Sequence, residues 1–231
     1  MVDGRYIHAM PWSEFTALLA LATAVSFTPG PNTTLSTAIA ANRGLRAAMR
    51  FVCAVPVGWA LLLLLCAVGV GALILAVPAL RWGVLGLGVA YMLWLAGRLA
   101  HSGTLASADG QRLDVSFGQG VLLQFVNIKA WMLALSIASG WIGAQADWAA
   151  RLAVVLPVML AFAFTSNLTY AWVGASLRGW LAQGRRLLWF NRVMALALVA
   201  TALWMAWNAL GSAAGVRLPW HVGQWISGVR A

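Results

Sequence analysis

The chain has 231 residues, 62% of them hydrophobic and only 9% charged, with a mean hydropathy of +0.84. A soluble domain carries about 25% charged residues, so this composition excludes a water-soluble fold and calls for a membrane protein. The net charge is +10, but the arginines sit in short stretches between apolar runs with no DNA- or RNA-binding motif beside them. That pattern speaks against a nucleic-acid partner and for anionic lipid headgroups.

The segment Met1–Trp12 has no basic cluster and leads directly into an apolar run, so a retained first span is expected and not a cleaved signal. No charged residue lies between Glu14 and Arg43, a run longer than the ~20 residues that cross a ~30 Å bilayer core. Inside it sits Thr28-Pro29-Gly30-Pro31-Asn32, which cannot continue an α-helix. Each proline removes a backbone donor, and Gly30 frees the chain to turn. Lipid offers no partner to the groups so released, and a break at this depth is costly unless it lines a cavity. Pro31 suits the first turn of a new helix, and Thr28 is placed to cap the amides that follow. A half-helix starting at Pro31 would present free N–H groups and a positive dipole end to a carboxylate. A plain proline kink that serves only packing is the competing reading.

Charge-free intervals mark the remaining spans. Six helices are expected, at roughly 14–41 (broken at 29–31), 49–75, 79–99, 118–140, 150–175 and 190–211. The third is short, but Arg81 and Arg98 at its ends can reach the headgroups. Trp12, Trp82, Trp141, Trp148 and Trp189 fall near span ends, as in an interfacial belt. Cys53 and Cys66 share one span, about 20 Å apart along its axis, and cannot bridge.

The long connection His101–Phe117 divides the chain into halves of three spans, so the second half enters the membrane in the opposite sense, as in inverted-repeat transporters. Arg50 and Arg151 precede the second span of each half, and Pro56 and Pro157 each follow by six residues. The break at Pro29–Asn32 corresponds, at a slightly smaller offset, to Asn127-Ile128-Lys129. Alternate loops carry nine arginines on one side (Arg43 to Arg192) against five on the other. This bias puts the odd connections in the cytoplasm and both termini in the periplasm.

Enzyme signatures are absent from the spans. All five acids and all three histidines lie at span ends or in connections, which leaves no buried metal cluster or Ser/His/Asp site to assemble. The polar residues at membrane depth are Asn32, Asn127, Lys129 and Asn167, with several Ser and Thr. Lys129 is the most informative, because an ionisable group inside a span faces a cavity or a partner. Asn127 and Lys129 are two residues apart and diverge on a regular helix; if both line one cavity, the helix there is irregular. Pairing of Lys129 with backbone carbonyls at a helix end is the alternative. Asn32 and Asn167 could equally tie helices together by hydrogen bonds.

Three motifs in order resemble one family. Phe27-Thr28-Pro29-Gly30-Pro31-Asn32 with Asn42-Arg43-Gly44, then Gly88–Ala96, then Gln124-Phe125-Val126-Asn127-Ile128-Lys129, are similar to the signatures of the lysine-exporter/homoserine–threonine-resistance (LysE/RhtB) amino-acid exporters. The resemblance covers about residues 13–211, and the third motif, together with Thr28-Pro29-Gly30-Pro31-Asn32, is most similar to the branch that exports cysteine and O-acetylserine. The family pattern has proline where this chain has Ile128, which leaves a second helix break undecided. The resemblance implies export of amino acids or their derivatives across the cytoplasmic membrane, driven by an ion gradient.

The expectation is therefore an all-α integral membrane protein with six transmembrane helices as two inverted three-helix repeats and a broken first helix. It forms a single transporter domain: a first repeat over 13–100, a cytoplasmic linker over 101–117, a second repeat over 118–211 and a tail over 212–231. The expected substrate site comprises Thr28, Pro29, Gly30, Pro31, Asn32, Asn127, Lys129 and Asn167. Amides after Pro31, with Asn32, would hold the carboxylate of a small amino acid, and Asn127, Asn167 and carbonyls near Gly30 its ammonium. Lys129 would neutralise the carboxylate or release a proton. Lys129 and Glu14 are the candidates for coupling to H+. No cofactor is called for, and the sequence does not decide whether the chain forms a homo-oligomer. A non-transporting membrane assembly subunit and a passive channel are the rival readings.

Overall fold

The computed structural model describes residues 10–101, 114–143 and 147–213; most of the expected linker and nearly all of the tail lie outside them. Helix α1 spans Trp12–Phe27 and stops because Pro29 forces Thr28 into extended backbone (φ −72°, ψ 130°). Helix α2, Pro31–Arg43, starts on Pro31 after an extended Gly30. The expected break is thus present, but Thr28 does not cap α2. Its hydroxyl turns back to donate to Ala24 O, one of the open carbonyls at the end of α1.

A single residue, Gly44 at φ +87°, joins α2 to α3, Leu45–Ala67. The second expected span ends early: Gly69 (φ +91°) separates α3 from the short α4, Val70–Ala76. Pro78 opens α5, Pro78–Ala100, close to the expected bounds. Ser116 caps α6, Phe117–Val126, by accepting from Gln119 N at 3.2 Å while its own N–H donates to Gln119 Oε1 at 2.9 Å. The chain then breaks at Asn127 (φ −89°, ψ 99°), and α7, Ile128–Ile137, runs on into a π-helical turn at Ala138–Ile142. Across this break the axis bends by 70°. Helices α8, Trp148–Leu181, and α9, Arg186–Ala213, are both longer than expected.

Among the described residues, α3, α5, α8 and α9 are long and apolar enough to cross a membrane, and α6 with α7 makes a fifth span if the bent pair counts as one. Helix α1, at 16 residues, falls short of a full span, and α2, at 13, is almost wholly buried despite its polar composition. The chain is a multi-pass membrane protein whose regular structure, among the described residues, is all helical. Trp12, Trp82, Trp148 and Trp189 are exposed, as an interfacial belt requires, whereas Trp141 is buried and donates to Glu14 O at 3.0 Å. Near one end of the bundle, Arg98, Arg186 and Arg192 stack on Trp94, Trp180 and Trp189 at 4.8–5.4 Å.

Between membrane helices, close approach replaces much of the hydrophobic driving force available in water. A Cβ on Gly58 would fall 2.5 Å from Val121 O, one on Gly88 2.0 Å from Val126 O, and one on Gly174 2.3 Å from Thr37 O. These glycines let α3, α5 and α8 rest directly on the backbones of α6 and α2. Two large apolar clusters and two small ones form among the described residues. Of the large ones, the first joins Leu35, Phe51, Leu95, Leu99, Leu123 and Leu198, and the second Leu18, Trp59, Leu62, Trp131, Ile137 and Met159.

Candidate functional site

The two breaks meet. At the end of α1 the open carbonyls are taken up one by one: Phe27 O by the Tyr170 hydroxyl at 2.8 Å, and Thr28 O by Lys129 Nζ at 2.9 Å. At the start of α2, Gly30 N–H donates to Thr33 Oγ1 at 2.9 Å, while the amides of Asn32 and Thr33 lack intrahelical acceptors, as at any helix N-terminus. Asn32 and Gln124 exchange side-chain hydrogen bonds and so tie α2 to α6.

The second break forms without a proline. Asn127 O accepts the amides of Ala130 at 2.9 Å and Trp131 at 3.2 Å, which starts α7. Trp131 Nε1 reaches back across the break to Phe125 O at 2.8 Å and satisfies a carbonyl that the break releases. Gly88 leaves room for Val126 O. Tertiary contacts thus supply what Pro would supply at position 128.

Between the breaks lies a cavity of about 70 Å³. It is lined by Thr28, Gly30, Pro31, Asn32, Asn127, Lys129 and Asn167, that is, by all the expected site residues except Pro29, and by Ser26, Thr33, Ser166 and an apolar remainder. Asn127 sits in the break, so it and Lys129 share the cavity despite their spacing of two. Asn167 accepts from Ser36 Oγ at 2.9 Å and donates to Ala163 O at 2.8 Å, which fixes its amide in the wall. Asn127 is only 5% exposed, and its Oδ1 has no hydrogen-bond partner. A buried amide oxygen in that state costs ~1–3 kcal/mol, so its persistence calls for an explanation.

Glu14 is elsewhere. It lies about 20 Å along α1 from the break and pairs with Arg151 Nη1 at 2.8 Å. Arg151, itself buried, also donates to Asp147 Oδ2 at 3.2 Å and Trp141 O at 3.3 Å. No group of acidic, cysteine or histidine side chains suited to a metal ion occurs among the described residues. Gln124, Ser166, Trp131 and Tyr170 were not singled out from sequence. Gln124 opens the third motif, and that position was the available signal.

A cavity between two broken helices, with polar groups at the breaks and both new half-helices starting at its wall, fits a membrane translocation protein. The chain belongs to the LysE type translocator family, whose sequence pattern matches residues 23–209. It is similar to the cysteine/O-acetylserine efflux proteins of Escherichia coli (strain K12), Shigella sonnei (strain Ss046) and Shigella flexneri, at 32% identity over 187 residues, covering 77% of this chain and 90% of each relative. No solved structure matches the chain significantly.

Proposed function

We propose that the protein is a secondary active exporter of a small zwitterionic amino acid or derivative across the bacterial inner membrane. The substrate is cysteine- or O-acetylserine-like, or a neutral amino acid such as threonine or homoserine. The observation that carries this reading is Asn127 Oδ1, a buried acceptor without a partner at the seam of two half-helices. A substrate ammonium group donating to it would recover the cost of leaving it unmet. The start of α2, with Asn32, and the Lys129 ammonium supply the opposite charge for a carboxylate. That carboxylate would compete with Thr28 O for Lys129 Nζ, which makes the lysine a natural link between substrate and H+. The printed names of the relatives, cysteine/O-acetylserine efflux proteins, point the same way.

The proposed architecture is two inverted three-helix repeats, 13–100 and 118–211, joined by a cytoplasmic linker over 101–117, with a tail over 212–231 and both termini in the periplasm. Each half contains a broken first helix, and the packing is what an exchange of halves would produce. Helix α8 packs on α1 and α2, α3 packs on α6 and α7, and α5 packs on α9. Ion pairs follow the same exchange: Arg151 of the second half meets Glu14 of the first, and Arg50 of the first meets Asp114, just ahead of α6.

Inverted membrane vesicles separate this reading from its rivals. With a proton gradient imposed, labelled cysteine should accumulate inside above the bath concentration and leak out when the gradient is collapsed. Equilibration without accumulation would indicate a channel, and no uptake of any neutral amino acid would indicate a scaffold.

A further inference from the structure

Resting on the exporter reading, we infer that the cavity contains an apolar subsite, walled by Trp59, Leu133 and Met159, that receives the substrate side chain and restricts it to a short, uncharged group. The evidence is the order of residues along the helices that line the cavity. On α8 the lining positions are Met159, Ala163, Ser166 and Asn167, one helical face that runs from apolar to polar. On the second break and α7 they are Asn127, Lys129, Ala130 and Leu133, which run from polar to apolar along the chain, so the polar end again lies at the break. Both gradients end at the breaks, where the charged ends of a zwitterion are held. Trp59 and Met159 are 4% and 2% exposed and belong to one buried cluster, with Leu133 packed against it. The far end of the cavity is therefore apolar and shaped by a rigid indole and a thioether that fills gaps.

Size and charge set the class of side chain. A cavity of about 70 Å³ holds roughly five to seven water-sized groups at ~10–15 Å³ each, which suits alanine, serine or cysteine; it is too small for leucine or methionine and, of the substrates proposed above, for O-acetylserine, whose acetyl group makes it larger than leucine. Among the described residues no carboxylate lines the cavity to receive a basic side chain, and the lining cation Lys129 lies at the polar end. A hydrophobic pocket rejects one surplus methylene by about tenfold or more.

Export from proteoliposomes loaded with reduced cysteine, leucine or lysine tests the subsite in wild type, Met159→Ala and Leu133→Ala. Leu133 is half-buried, so its variant reports even if loss of the fully packed Met159 lowers protein yield. The wild type should export cysteine at least tenfold faster than leucine and should not export lysine. Either wall variant should raise the leucine-to-cysteine ratio about tenfold while cysteine export continues. Wild-type selectivity for cysteine with an unchanged ratio in both variants would overturn the subsite and leave the exporter reading intact. Export of none of the three by wild type would overturn the exporter reading itself, and the subsite with it.

Discussion

Asn32 and Gln124, ninety-two residues apart, exchange two hydrogen bonds: Asn32 Nδ2 donates to Gln124 Oε1 at 2.8 Å, and Gln124 Nε2 donates to Asn32 Oδ1 at 3.2 Å. Gln124 is fully buried, so removing one partner strands the other's amide in a low-dielectric wall. Gln124→Leu should destabilise the protein by about 1–2 kcal/mol, while Asn32→Leu combined with Gln124→Leu should cost less than the sum of the single changes. Thermal unfolding in detergent measures this. A coupling of ~0.5–2 kcal/mol is expected for such a pair, and strictly additive losses would mean that the amides do not hold the two halves together.

Gly30 tests whether the first break forms a site or is only a kink. Its backbone is extended, which any residue can adopt, so the issue is space. A Cβ there would already lie 3.3 Å from both Cδ and Nζ of Lys129. Gly30→Leu should fill the cavity and abolish export with protein still present in the membrane, and Gly30→Ala should reduce export several-fold. Normal efflux from Gly30→Leu would leave the break with a packing role alone.

The first break was legible because Pro29, Gly30 and Pro31 act through local backbone chemistry that a sequence states directly. The second was not. Ile128 carries no such signal, and the break depends on Trp131 reaching Phe125 O and on the missing side chain of Gly88. The same limit hid Gln124, since its partner is visible only once α2 and α6 are side by side. It also hid the inward turn of Trp141, which from composition alone resembles any other tryptophan at a span end. Span positions were legible wherever arginine marked them, as for α5. They drifted where glycine ended a helix inside an apolar run, as Gly69 ends α3.

Lys129 holds Thr28 O in the structure, so both the structural and the electrostatic roles remain open to direct test. Arginine keeps the charge but not the compact ammonium or its readily lost proton; methionine keeps much of the stem without charge. A substrate-neutralising lysine predicts partial export by Lys129→Arg and loss in Lys129→Met. A proton-carrying lysine predicts that both fail in gradient-driven export while substrate exchange survives. Low membrane abundance of Lys129→Met would assign it a purely structural role. Efflux, exchange and abundance measured together decide among these outcomes.

Glu14 is the second coupling candidate, and its position argues for a different effect. Paired with Arg151 and about 20 Å along α1 from the break, it has no direct route to the substrate. Glu14→Gln should lower thermal stability by about 1 kcal/mol, because Arg151 keeps Asp147 and Trp141 O as partners. Gradient-driven export per folded molecule should be unchanged. Export that becomes independent of the proton gradient in Glu14→Gln would instead place Glu14 in the coupling path.

Asn127→Leu is the most direct measurement of the proposed site. The substitution removes a buried oxygen that has no partner and keeps a side chain of similar volume. The free protein should therefore be as stable as wild type or more so, by up to ~1 kcal/mol. Export should fall at least a hundredfold, and added cysteine should no longer raise the unfolding temperature of the purified protein. Wild-type export by a normally abundant Asn127→Leu protein would contradict a substrate site between the two breaks.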